Sequence, residues 1–166
     1  MADIATADIK ALRDETGVSV MACKQALAEA GGDRERAREI LRRQSGASAA
    51  KKAGRALGAG VIAAYAHNTG QVAALAHLAC ETDFVAKNAE FTALARDIAM
   101  QVAALAPRVV SRDTEDGAAE YAADEVLVEQ AFIKDPERTV RDVLESATQK
   151  FGERIVVVAM SRLSAN

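Results

Sequence analysis

The sequence predicts an α+β protein: a three-helix module at the amino terminus, a linker, and a small three-stranded antiparallel sheet packed with helices. Three observations carry this. From Ala5 to Gln44, apolar residues recur at helical spacing with stop signals between them. From Val61 the pattern changes to two apolar runs flanking Asn68-Thr69-Gly70, a three-residue turn with glycine where a left-handed residue is wanted. Arg154-Ile155-Val156-Val157-Val158-Ala159-Met160 is β-branched and reads as a third strand that completes an antiparallel sheet with the hairpin. The implied divisions are a helical domain over 1–45, a helical linker over 46–60 and an α+β core over 61–166.

Composition bounds the function. The chain has 166 residues, is half apolar and about a quarter charged, and so is globular. Its formal charge of −3 argues against a general nucleic-acid binder, because no Lys/Arg-rich face dominates. No apolar run approaches the ~18 residues of a membrane span, and Met1-Ala2-Asp3 begins a polar, acidic start without a secretory signal. A cytoplasmic protein with a protein or small-molecule partner is expected. Cys23 and Cys80 are far apart and lack CxxC spacing, so neither a metal site nor a disulfide framework is indicated, and both read as reduced, buried, small hydrophobes.

In the helical module, Thr6 starts the first helix, Ile9 and Leu12 form its apolar side, and Thr16-Gly17 stops it. Ser19 caps the second, whose Val20, Cys23, Ala26, Leu27 and Ala30 recur at helical spacing until Gly31-Gly32. Asp33 caps the third, with Ala37, Ile40 and Leu41 facing inward. Short helices of this kind are not stable singly and must bury these stripes against one another. Val20 and Met21 read first as core residues, with Arg13 and Lys24 as solvated charges. Helical geometry objects in part, since adjacent residues lie about 100° apart and cannot both sit at the centre of one buried face.

Ser45-Gly46-Ala47-Ser48 marks a boundary, and Lys51, Lys52 and Arg55 follow among alanines. A solvated helical connector is favoured over phosphate binding for so short a basic run. After the hairpin comes Cys80-Glu81-Thr82-Asp83-Phe84-Val85-Ala86-Lys87-Asn88. Thr82 and Asp83 suit a tight turn, and Asn88 caps a long amphipathic helix carrying Phe91, Leu94, Ala95, Ile98, Val102 and Leu105 until Pro107. Phe84 and Val85 then stand on a connection. A large apolar side chain there either folds back onto the core or meets another molecule, and the residues alone favour the first. Ser111–Gly117 reads as an acidic loop, Tyr121–Ile133 as an irregular strand, and Asp135-Pro136-Glu137 as the opening of a helix that runs to Gly152. Two helices would cover one face of the sheet.

Cys80-Glu81-Thr82-Asp83-Phe84-Val85-Ala86-Lys87 closely resembles the signature of the bacterial elongation factor Ts family, nucleotide exchange factors for the translational GTPase elongation factor Tu. Leu12–Leu27 with Gly32-Asp33 resembles the family's amino-terminal module, which has the ubiquitin-associated fold, and Ala-Lys-Lys-Ala-Gly-Arg at 50–55 resembles its interdomain connector. Leu127–Pro136 with Thr139-Val140 resembles its carboxy-terminal part. The likeness covers nearly the whole chain. Between Leu105 and Tyr121 it lacks the second sheet-containing copy and coiled-coil hairpin of longer members, so it resembles the short form.

The resemblance implies a non-enzymatic exchange factor without cofactor or metal. Phe84 would be the wedge entering an apolar pocket of elongation factor Tu, Asp83 would disturb the polar network around metal and phosphates, and Thr82 and Val85 would shape the loop. Val20 and Met21, rimmed by Arg13 and Lys24, would lie against a helix of the GTPase's nucleotide-binding domain. A lone three-stranded sheet leaves one face open, which a second copy can cover; a two-fold homodimer resting on apolar contacts is expected, as the short form also implies. Two rival readings are an enzyme using Cys80 with His67 or His77 and Asp83, and a ubiquitin-associated-like peptide-binding scaffold.

Overall fold

In the computed structural model of the chain, residues 4–113 and 118–165 are described. The polar start at Met1-Ala2-Asp3 and residues 114–117 of the expected acidic loop lie outside them. The chain divides into two units, one of residues 1–54 with 144–153 and one of 55–143 with 154–166.

In the first unit, α1 (Thr6–Thr16), α2 (Val20–Glu29) and α3 (Arg34–Lys52) enclose a core of Leu12, Val18, Cys23, Leu27, Ile40 and Leu41 with small alanines between them. Local chemistry sets the boundaries. Gly17 ends α1 in the left-handed region at φ 72° and donates to Arg13 O at 2.8 Å. Ser19 Oγ accepts from Ala22 N at 3.2 Å, and Asp33 Oδ1 accepts from Arg36 N at 3.0 Å, each satisfying an otherwise orphaned first-turn donor.

Two expectations fail here. Val20 does not join the buried stripe; it occupies the first turn of α2, one turn before Cys23, and is half exposed. Ser45, the expected boundary, lies inside α3, which runs on to Lys52. Ser45 is buried with its hydroxyl donating to Gln149 Oε1, and a side chain at Gly46 would stand 3.2 Å from the Glu145 carboxylate. Small residues that look like a linker in sequence therefore serve here as a close-packed stretch of helix.

The second unit holds β1 (Ala59–Ala66), β2 (Val72–Cys80) and β5 (Val156–Ser164), antiparallel in the order β1-β2-β5. Gly70, at φ 70°, closes the turn of the β1/β2 hairpin. The long helix α5 (Ala89–Leu105), capped by Asn88 Oδ1 accepting from Glu90 N at 2.8 Å, packs along all three strands. It buries Phe91, Ala95, Ile98 and Val102, while the strands offer Ala63, Ala74, Ala76, Leu78 and Val157. Alanines on the inner face let helix and sheet approach closely. Leu105, last of the expected stripe, is exposed. The other face of the sheet is bare: Ile62, Leu75 and Leu163, on three different strands, point outward.

Beyond α5 the chain is irregular, with short 3₁₀ turns at Ala118–Glu120, Ala123–Glu125 and Leu127–Glu129 in place of the strand expected over Tyr121–Ile133. It is held by a parallel bridge between Val109 and Val126 and by the buried Gln101, which donates to Gln130 Oε1 (3.1 Å) and Ala131 O (2.9 Å) and accepts from Ile133 N (2.8 Å).

Asp135-Pro136-Glu137 does not open a helix. It belongs to β4 (Asp135–Thr139), paired antiparallel with the short β3 (Ala131–Phe132), and α6 (Val140–Phe151) starts only after Thr139. The start is fixed by a reciprocal cap: Asp142 N donates to Thr139 Oγ1 at 3.1 Å, and Thr139 N donates to Asp142 Oδ2 at 2.9 Å. Because Leu144–Glu153, most of α6, belongs to the first unit, the expected second helix on the sheet is instead the one-turn α4 (Asp83–Ala86), which packs against β1 and β2.

Candidate functional site

The stretch Thr82–Val85 folds as a cap followed by one helical turn. Thr82 is extended and its Oγ1 accepts from Val85 N at 3.4 Å; Ala86 N donates to Thr82 O at 3.1 Å and Lys87 N to Asp83 O at 3.1 Å. A single turn cannot hold itself, so its place is set by the side chains it buries. Val85, 3% exposed, and Ala86 turn inward toward the sheet and α5. The 100° step between successive residues then carries Asp83 and Phe84 to the outside.

Phe84 is 85% exposed. It does not fold back onto the core, as the residues alone favour. The contrast with Phe91 and Phe132, both buried, marks it as the one large aromatic of the described core region that the fold leaves in water. Asp83 beside it is also exposed and reaches Lys87 at 3.6 Å, an open i,i+4 pair worth little energetically.

The other predicted residues gather on the first unit. Val20 and Met21 open α2 at 50% and 62% exposure, and Lys24 follows one turn later on the same side of the helix, also exposed. Arg13, in the last turn of α1, is exposed and close enough to act electrostatically on the Cys23 thiol. The fold thus presents two adjacent apolar side chains with Lys24 on the same side of the helix, and does not use them as core.

A family model described as Elongation factor TS matches residues 48–119, a span that contains α4 and most of the sheet. The chain is 40% identical to the elongation factor Ts of Desulforamulus reducens, over 95% of this chain and 87% of that one. It is 40% identical to that of Moorella thermoacetica, over 93% and 91%, and 47% identical to that of Thermotoga petrophila, over 89% and 73%. The chain belongs to the elongation factor Ts family. Its role therefore lies in translation elongation.

The rival nucleophile constellation does not assemble in this family member. Cys80 is fully buried, with its thiol directed at Thr82 O (3.3 Å). His77 lies three residues earlier on β2 and so on the opposite face, opposite Ile62 and Ala159. His67 follows the far end of β1, where Ala66 pairs with Ala73, and its Nδ1 meets Tyr65 Oη at 3.0 Å. Burial pushes the Cys23 thiol up, with its hydrogen bond to Thr16 and the charge of Arg13 pulling the other way, so this thiol is disfavoured as a thiolate. Among the described residues no helix is long and apolar enough to cross a membrane.

Sequence reasoning missed the residues beneath the exposed turn. Glu81, Arg55 and Arg154 meet there, with Arg154 N donating to Glu81 Oε1 at 2.6 Å. Glu81 is next to the signature residues, but no local pattern connects it to an arginine 73 positions away.

Proposed function

We propose that this chain is the guanine nucleotide exchange factor for elongation factor Tu, and that it promotes GDP release by inserting the Thr82–Val85 turn beside the Mg²⁺ and phosphate site of the GTPase. The observation that carries the reading is the exposure of Phe84 on a turn whose next two residues are buried. An exchange factor works by binding the nucleotide-free GTPase better than the loaded one. A thousandfold acceleration requires about 4 kcal/mol. Burying a phenylalanine in an apolar pocket supplies about 2–3 kcal/mol, and the apolar contact of Val20 and Met21, rimmed by Arg13 and Lys24, supplies the rest while setting the register. Asp83 disturbs the metal and phosphate network, and Thr82 and Val85 hold the turn in shape. No covalent bond is made or broken by the chain, which works in the cytoplasm.

The active form is a two-fold homodimer. The bare face of the sheet runs through Ile62, Ala64, Leu75, His77, Ala159 and Leu163 without a Lys, Arg, Asp or Glu, so a second copy brings apolar surface and no like charge against it.

A second reading draws on Val20 and Met21 alone: a ubiquitin-associated-like scaffold that binds short peptides. The two readings separate when fluorescent GDP release from elongation factor Tu is followed at increasing concentrations of the chain. The exchange reading predicts release that rises to a saturating rate; unchanged release at saturating binding overturns it in favour of the scaffold.

A further inference from the structure

We propose that Glu81 is a positioning residue for nucleotide exchange: it ties the base of the Thr82–Val85 turn to Arg154 and Arg55 and so fixes where Phe84 stands. The inference rests on the exchange reading above and adds to it the residue on which the wedge is mounted.

The phenylalanine stands almost wholly in water, and α4 is a single turn of four residues. Its aim must be set where the turn joins the rest of the unit. On the far side that is done by the burial of Val85 and Ala86. On the near side it falls to Glu81, the residue between the last position of β2 and the Thr82 cap.

Glu81 is gripped by two segments remote in sequence. Its Oε1 accepts from the backbone N–H of Arg154 at 2.6 Å, just ahead of β5, and from Arg55 Nη1 at 3.3 Å, just ahead of β1. Arg154 Nη1 donates in turn to Arg55 O at 2.7 Å, closing a ring of three residues. The main chain is held as well: a side chain at Gly58 would come within 2.9 Å of Glu81 O, so glycine lets the segment after Arg55 lie directly against it. The Glu81 carboxylate is only 22% exposed, which strengthens hydrogen bonds between an ionised acceptor and these donors. A truncated side chain removes the tie to Arg154 and Arg55 and leaves the near side of the turn to main-chain packing and the Cys80 thiol contact at Thr82 O. Misplacement of a reacting or inserting group by about 1 Å can cost up to a hundredfold in rate.

The test measures fluorescent GDP release from elongation factor Tu against concentration of the intact chain, Glu81→Ala, Glu81→Gln, Phe84→Ala and the Glu81→Ala/Phe84→Ala double variant, each checked by thermal melting. Glu81→Ala is expected to lower the maximal rate about ten- to hundredfold while the half-saturating concentration moves less than about threefold, because the helical module still binds. Glu81→Gln keeps an acceptor oxygen and retains most of the rate. In the Phe84→Ala background, Glu81→Ala has no further effect, since a mount without a wedge has nothing to aim. A full maximal rate for Glu81→Ala, a loss that multiplies with that of Phe84→Ala, or a Glu81→Gln rate as low as that of Glu81→Ala overturns the proposal. Failure of the underlying exchange reading shows separately, as an intact chain that leaves release unchanged.

Discussion

Phe84 and Val85 are neighbours in one turn of helix, yet the first stands in water and the second is buried against the sheet and α5. Phe84→Ala is therefore expected to leave unfolding stability within about 0.5 kcal/mol of the parent, as for surface substitutions generally. Val85→Ala removes buried methyl groups and is expected to cost about 1–3 kcal/mol. Chemical denaturation of the two variants measures this. Equal losses would show that the phenylalanine is a structural residue.

Met21 is expected to act on affinity. Met21→Glu places a carboxylate on the exposed first turn of α2, where it disturbs no core. In GDP release titrations it should raise the half-saturating concentration about tenfold or more, the scale of losing an interface anchor, with the maximal rate nearly kept. A lowered maximal rate at unchanged half-saturation would assign exchange chemistry to the helical module.

Leu163 and Ile62 test the dimer. Both are largely exposed on the uncharged sheet face, at 75% and 68%. Leu163→Glu puts two buried carboxylates into a two-fold contact and should convert a dimer into a folded monomer in sedimentation equilibrium. A parent chain that is already monomeric at micromolar concentration would contradict the homodimer.

Glu15 gives the pH dependence. Its carboxylate meets Arg38 at 2.9 Å and also Arg34, and the hydrogen bond from Arg38 leads the causes that hold it below the usual glutamate value. A depressed folded pKa means stability that is present above the unfolded value, about 4.3, and lost as pH falls through the folded one. Denaturant midpoints taken from pH 7 down to pH 3 should fall more for the parent than for Glu15→Gln. At pH 7 the substitution should cost under about 1 kcal/mol, because the pair is a third exposed. Parallel pH profiles would show that the ion pair contributes nothing.

The sequence was legible where a signal is local. Gly17, Ser19, Asp33, Gly70 and Asn88 each act within a few residues of themselves, and each marks an observed boundary. It misled where one residue type serves two structures. Pro136 suits a first helical turn as well as a short exposed strand, and the signal that decides is the Thr139/Asp142 pair three residues on. Ser45 and Gly46 suit a linker as well as a helix that must pack closely. Of the candidate residues, sequence reading picked out Phe84 and Val85 as a pair, but only coordinates separate them into an exposed and a buried member. The ring of Glu81, Arg55 and Arg154 was out of reach, since hydrogen bonds across 73 and 99 positions leave no periodic trace.

The proposed exchange activity turns on an exposed phenylalanine standing on a buried mount. Its most direct measurement is the rate of fluorescent GDP release from elongation factor Tu at saturating parent chain and at saturating Phe84→Ala. Strong acceleration by the parent is expected, with a loss of about thirty- to 150-fold in the variant, the equivalent of about 2–3 kcal/mol. Equal acceleration by both proteins would contradict this.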